Sequence, residues 1–136
     1  MQFIPVETLP SIRVIPFLWA MLETRDPKVN ISHKRMPTLD EHAKFVLNHP
    51  YRCWYIILQS GKWVGNIYLT KQNEIGINLV PEARGLGIGT QAVGQLMGQK
   101  GPGRYMANIS PDNVDSQLFF ESLGFKLIQY TYEITS

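Results

Sequence analysis

The sequence predicts an α/β fold, α+β by looser usage, with a mixed, mostly antiparallel sheet carrying helices on both faces. Three observations point to it. Residues 74–97 join an alternating apolar strand to the turn Arg84-Gly85-Leu86-Gly87-Ile88-Gly89, and that turn leads directly into an amphipathic helix. Two β-prone runs, residues 54–58 and 63–70, flank Ser60-Gly61 and read as a hairpin. Thr38-Leu39-Asp40-Glu41 has the spacing of a capping box, in which the Thr and Glu side chains satisfy each other's free amides at a helix start.

In chain order, residues 3–6 form a short strand. Residues 16–24 form a first helix whose apolar residues Phe17, Leu18, Trp19, Met21 and Leu22 cover more than one face. Residues 25–37 carry Pro27, Asn30 and Ser32 without periodicity, so they are a long connection, which holds Lys28, His33, Lys34 and Arg35. The capped second helix presents Leu39, Ala43, Val46 and Leu47 and ends near Asn48-His49-Pro50. After the hairpin, Ile75, Ile77 and Leu79 alternate with Gly76, Asn78 and Val80 until Pro81 stops the strand. The following helix has the stripe Ile88, Ala92, Val93, Leu96 and Met97. Gly94 and Gly98 interrupt it at about 1 kcal/mol each relative to alanine, which predicts close packing on the sheet. Gly101-Pro102-Gly103 ends that helix, and residues 105–109 are a strand. Ser110-Pro111-Asp112 enters a helix that runs through Leu118, Phe119 and Leu123 to Gly124, and residues 125–134 make a long final strand.

A chain of 136 residues with 44% hydrophobic content is expected to form a single domain over residues 1–136 with a real core. The net charge of +2 arises from interspersed charges and falls short of a nucleic-acid footprint. One cysteine, Cys53, excludes an internal disulfide, supplies no metal cluster and suits a reducing compartment. No apolar run reaches the roughly 20 residues of a membrane span. The opening residues, with Pro5, Glu7, Pro10 and Pro16, lack a signal-peptide layout. A soluble, cytoplasmic protein follows, with no membrane, metal or nucleic-acid partner.

The glycine turn carries the chemistry. Glycines at alternate positions keep side chains off a concave face, so that successive backbone N–H groups converge at the positive end of a helix and can hold a pyrophosphate. The plain alternative is a tight turn that needs small residues for packing alone. A Rossmann fingerprint would need glycine or alanine where Thr90 stands, and the Gly-Lys-Ser/Thr ending of a P-loop is missing.

Residues 79–90, Leu79-Val80-Pro81-Glu82-Ala83-Arg84-Gly85-Leu86-Gly87-Ile88-Gly89-Thr90, in this order of elements, resemble the GCN5-related N-acetyltransferase (GNAT) superfamily. Its phosphate motif is Gln/Arg-x-x-Gly-x-Gly/Ala, and Arg84, Gly87 and Gly89 occupy the three fixed positions. Asn113, Ser116, Phe119, Phe120, Gly124 and Phe125 reproduce the spacing of the family's Asn-x-x-Ala-x-x-Leu-Tyr-x-x-x-Gly-Phe segment. The resemblance spans about residues 54–130. It implies a splayed central strand pair with acetyl-CoA, the acyl donor, in the V-shaped gap between the strand ending at Val80 and residues 105–109. Backbone groups of Leu79 and Val80 would meet the pantetheine arm, and N–H groups of Arg84, Gly85, Leu86, Gly87, Ile88, Gly89 and Thr90 the pyrophosphate. Asn113, Ser116 and Phe120 complete the implied cofactor set. Splayed strands expose unpaired main-chain groups that an extended, amide-bearing ligand can satisfy.

The implied activity is acetyl transfer to a primary amine by direct attack on the thioester, with a backbone N–H near Leu79 polarising its carbonyl. Glu74, at the start of the central strand, is the candidate base, near where several family members keep a glutamate; its plain alternative is a solvated turn residue. Where the family often has a tyrosine that protonates the CoA thiolate, this chain has Phe120. Ser116, Tyr105, Tyr130 or a water would have to substitute, unless no acid is needed. His33 and His42, the basic cluster of the long connection, and Trp19, Tyr51 and Trp54 are candidates for the acceptor side, against plain readings as surface or core residues. The acceptor, a small-molecule or peptide amine, is not specified. A non-catalytic acyl-CoA-binding or regulatory module is the alternative, and the last strand offers an edge through which a homodimer would form.

Overall fold

The computed structural model describes residues 1–24 and 36–136. Four antiparallel strands lie in the order β1-β2-β3-β4: β1 Gln2–Pro5, β2 Cys53–Gln59, β3 Lys62–Leu69 and β4 Ile75–Leu79. The β2-β3 hairpin closes through Ser60 and Gly61, both with positive φ (52° and 78°), the turn that matches strand twist. A register shift between Ile57 and Leu58 accommodates one extra residue in β3.

Helix α1 spans Ser11–Glu23 and begins earlier than the sequence predicts. Pro16, read as its start, lies inside it. The bond lost at its missing N–H belongs to the carbonyl of Ile12, an exposed residue, while Val14, Leu18 and Met21 recur at helical spacing on the buried side. Helix α2, Leu39–Leu47, has the expected capping box: Thr38 Oγ1 accepts from the Glu41 amide at 3.1 Å, and Glu41 Oε1 accepts from the Thr38 amide at 2.8 Å. Its buried face is His42 and Val46, whereas Leu39 and Leu47 point to solvent.

Helices cover both faces of the sheet. On one side Val6, Val14, Ile15, Leu18, Val46, Trp54 and Ile56 join α1 and α2 to the sheet. On the other, Ile57, Ile67, Leu69 and Ile75 meet Ile88, Ala92, Val93 and Leu96 of α3 (Ile88–Lys100) and Phe120 of α4 (Val114–Ser122). Gly94 and Gly98 do not pack on the sheet. A Cβ at either would meet nothing within 4 Å, because both lie on the exposed side of α3.

Two expected strands differ from expectation in informative ways. Residues 105–109 touch the sheet through one parallel bridge, Glu74 to Met106, made by the Ile75 amide on Met106 O (2.7 Å) and the Met106 amide on Asn73 O (3.0 Å). Residues 125–134 form no strand in the described sheet: Leu127, Ile128, Tyr130, Tyr132 and Ile134 are between 65% and 94% exposed. Phe125 alone is anchored there, through its amide on Phe120 O and its ring against that of Phe120. Apolar alternation marks a segment able to pair, and pairing needs an open edge; the edge nearest β4 is parted after a single bridge.

Candidate functional site

The gap follows from strand parity. In an antiparallel pair alternate residues turn their N–H and C=O toward the partner. Val80 donates to Val64 O at 2.9 Å, and Thr70 to Glu74 O at 2.9 Å, in a register that also pairs Asn66 with Asn78 and Tyr68 with Gly76. The main-chain groups of Ile75, Ile77 and Leu79 therefore face the other way. Ile75 uses its N–H on Met106, and beyond that bridge β4 and residues 107–109 separate around a cavity of about 550 Å³. By this parity the Ile77 and Leu79 amides face away from β3; Ile77 lines the cavity and Leu79 lies beyond its lining, toward the glycine turn. Val80, expected to share that role, does not: its N–H is on Val64 and its C=O accepts from the Ala83 amide. Sequence reasoning missed Ile77, although counting by twos from the hairpin register would have found it.

The glycine turn lies at the C-terminal end of β4. A short 3-10 turn, Pro81–Ala83, stops the strand, and the Arg84 amide closes on Pro81 O. Arg84 Nε donates to Leu79 O at 3.2 Å, tying the turn back to the strand. Gly85 and Gly87 have φ of +75° and +80°, conformations L side chains rarely adopt, and a Cβ on either would project into open space. Gly87 is the N-cap of α3 and no side chain caps it, so the amides of Ile88, Gly89 and Thr90 form the positive end of the helix. Gly89 is small for a different reason: its Cβ would sit 3.2 Å from the Phe119 ring of α4. Leu86 stands exposed beside the turn. Open space beside the two glycines, next to uncapped helix amides, fits a diphosphate.

Glu74 sits at the apex where β4 and residues 105–109 meet, and it lines the cavity. Thr70 Oγ1 donates to Glu74 Oε1 at 3.1 Å and accepts from the Glu74 amide at 3.0 Å, while Asn108 Nδ2 reaches across to donate to Oε2. The carboxylate is thus oriented from both walls, a role for Thr70 and Asn108 that no sequence motif signalled. Asn113 caps α4, its Oδ1 accepting from the Ser116 amide at 3.1 Å. The helix-entry role and the cavity role coincide, because Asn113, Ser116 and the buried Phe120 all line the same space.

The remaining candidates divide. Tyr51, Trp54 and His42 line the far end of the cavity, with Phe45 and Tyr68. Trp19 does not; its Nε1 donates to Pro37 O at 3.0 Å. Among the proposed substitute acids, Ser116 borders the cavity, Tyr105 donates its hydroxyl to Gly101 O, and Tyr130 is exposed. Lys28, His33, Lys34 and Arg35 lie outside the described residues. Cys53 is buried on the α3 side of the sheet. Among the described residues no group of three His, Cys, Asp or Glu side chains could hold a metal ion, and no helix is long and apolar enough to cross a membrane.

Solved structures share this architecture. A ribosomal-protein-alanine N-acetyltransferase of Brucella melitensis superposes with a TM-score of 0.67 at 18% identity over 93% of this chain and 85% of its own. An aminoglycoside antibiotic 6'-N-acetyltransferase of Acinetobacter haemolyticus gives 0.67 at 15% identity over 100% and 98%. A predicted acetyltransferase of Clostridium acetobutylicum, solved with acetyl-CoA, gives 0.64 at 13% identity over 98% and 94%. At such identities the likeness concerns the fold. No curated protein matches the chain. The acetyltransferase (GNAT) family model matches residues 17–125, a span that holds the glycine turn, the parted strands and the α4 cap together. The chain belongs to the GNAT family of acetyltransferases.

Proposed function

We propose that this protein moves an acetyl group from acetyl-CoA to a primary amine by direct attack, without an acyl-enzyme. The observation that carries the reading is the parting of β4 from residues 105–109 after one bridge, immediately before an open, glycine-lined helix N-terminus. An extended ligand with amides in its arm and a diphosphate at its end matches both features in sequence. The C. acetobutylicum structure with acetyl-CoA supports the same choice of donor.

In this reading the amides of Gly85 to Thr90 hold the diphosphate, with the Arg84 side chain fixing the turn. The Ile77 and Leu79 amides hold the arm and, at its reactive end, the carbonyl oxygen; Asn113 and Ser116 close the opposite wall. Bound acetyl-CoA supplies an activated thioester. Glu74, oriented by Thr70 and Asn108, accepts the proton the amine must lose, directly or through water. Catalysis then rests mainly on positioning. The exposed residues 125–134 are the edge through which two copies would pair, which light scattering on the purified protein reads directly.

Phe120 favours a second reading, a binding module without turnover, since the position where the family often carries a hydroxyl holds a buried hydrocarbon ring. Calorimetry with acetyl-CoA followed by thiol release over an amine panel separates the two. Binding with turnover upholds the transferase, binding alone upholds the module, and no binding removes both.

A further inference from the structure

The end of the cavity away from Asn113 is built from aromatic rings stacked outward from a glycine. Gly76 of β4 faces Tyr68 of β3 across the sheet, and a Cβ at Gly76 would fall 1.9 Å from Tyr68 Cζ, so the ring lies over the glycine in space no other residue would leave. Tyr51 lies on Tyr68 with ring centroids 3.9 Å apart and planes 6° from parallel. Trp54 meets Tyr51 edge-on at 4.9 Å, and Phe45 meets Tyr51 and Trp54 edge-on at 5.7 and 5.9 Å. The indole N–H of Trp54 is satisfied, Nε1 donating to Asn66 Oδ1 at 3.0 Å, and Asn66 in turn reaches Met21 Sδ. The rings of Phe45, Tyr51, Trp54 and Tyr68 give the cavity an aromatic surface, and Glu41, His42, Asn66 and the Glu74 carboxylate at the strand apex border the same space.

We infer that the acceptor is a compact primary amine carried on a flat apolar or aromatic body, the body against the Phe45, Tyr51, Trp54 and Tyr68 wall and the amine at Glu74. This deepens the transferase reading above and rests on it for the chemistry, though not for the binding. Edge and face contacts with rings favour a flat hydrocarbon, and an amine still protonated on arrival is attracted both by a carboxylate and by ring faces. A sugar of the same size offers these rings less apolar surface than a flat hydrocarbon and gains less from the contact. A cavity of about 550 Å³ that also admits the reactive end of the donor suits a small molecule.

The test compares 2-phenylethylamine, kanamycin and an alanyl peptide as acceptors in a thiol-release assay, with saturation-transfer NMR of each amine in the presence and absence of CoA. The aryl amine is expected to exceed both rivals in kcat/KM by about tenfold or more, the scale set by apolar pocket contacts. Tyr51→Leu should raise its KM about tenfold for the same reason, with the acetyl-CoA affinity unchanged. Gly76→Val, which displaces the Tyr68 ring, should act in the same direction; Tyr51 is only half-buried, so its variant keeps the test alive if Gly76→Val fails to fold. Kanamycin or the peptide matching the aryl amine, or Tyr51→Leu raising KM for all three alike, overturns the proposal. Loss of acetyl-CoA binding in the wild type would remove the transferase reading alone, provided the NMR contact to the aryl protons is present and disappears in Tyr51→Leu. Absence of that contact sinks the chamber itself.

Discussion

The two ends of the proposed site are built on opposite principles. The donor end is main chain: amides of β4 that face the gap by parity, then amides at the start of α3 exposed by two left-handed glycines. The acceptor end is side chain, gathered from α1, α2, the residues leading into β2, and β3. Main-chain recognition depends on a local conformation that a few glycines enforce, and it tolerates wide change elsewhere. Side-chain recognition depends on where several distant elements happen to meet. In the proposed reading, one site thus takes a fixed reagent at one end and a variable one at the other.

The division breaks most visibly at the apex shared by both ends. Glu74→Gln leaves one acceptor oxygen for Thr70, requires the Asn108 amide to turn over and accept from the new NH2, and removes the base, so kcat should fall about a thousandfold, within the range for general-base loss, while acetyl-CoA affinity stays put. An unchanged kcat would pass the proton to another group. At the donor end, Gly87→Val forces a β-branched residue to φ of +80° and sets a side chain in the open space beside the helix amides. With two or so charge-assisted hydrogen bonds lost, acetyl-CoA should bind about a hundredfold more weakly by calorimetry. Undiminished affinity would place the diphosphate elsewhere. Gly89 is the poorer probe, because enlarging it also pushes on Phe119.

A remote change sharpens the contrast. Thr38→Ala removes the capping box of α2, for about 1 kcal/mol in urea unfolding. Because α2 carries His42 and Phe45 into the acceptor end, the KM for the amine should rise more than that for acetyl-CoA. Equal shifts would show that the two ends do not report separately on the helix.

Sequence legibility follows the same line. The hairpin, the capping box, β4 and the glycine turn could each be read from neighbouring residues, since each is fixed by turn geometry or a local hydrogen bond. The acceptor wall could not. Gly76 meets Tyr68 through the β3-β4 register and Tyr51 is brought to Tyr68 by the β2-β3 pairing, so nothing in their spacing along the chain predicts a stack. Residues 125–134 fail for a related reason: their alternation equals that of β4, but β4 has a hairpin partner a few residues upstream and they have no neighbour in sequence to pair with. Val80 was misplaced by one residue, which in a strand is enough to reverse the direction of its amide.

Helix α3 holds the smallest and cleanest test, because it contains glycines of both kinds. Gly87 is held by its φ and Gly89 by a ring; Gly94 and Gly98 are held by neither, with open space around a would-be Cβ and positions on the exposed side. If local conformation is what makes the donor end legible, glycine should matter only where conformation or contact demands it. Replacing both Gly94 and Gly98 by alanine removes unfolded-state entropy and adds helix propensity, so each substitution should raise stability by up to about 1 kcal/mol. Acetyl-CoA affinity should not move. A loss of stability instead would mean that the outer side of α3 is covered by something in the folded protein.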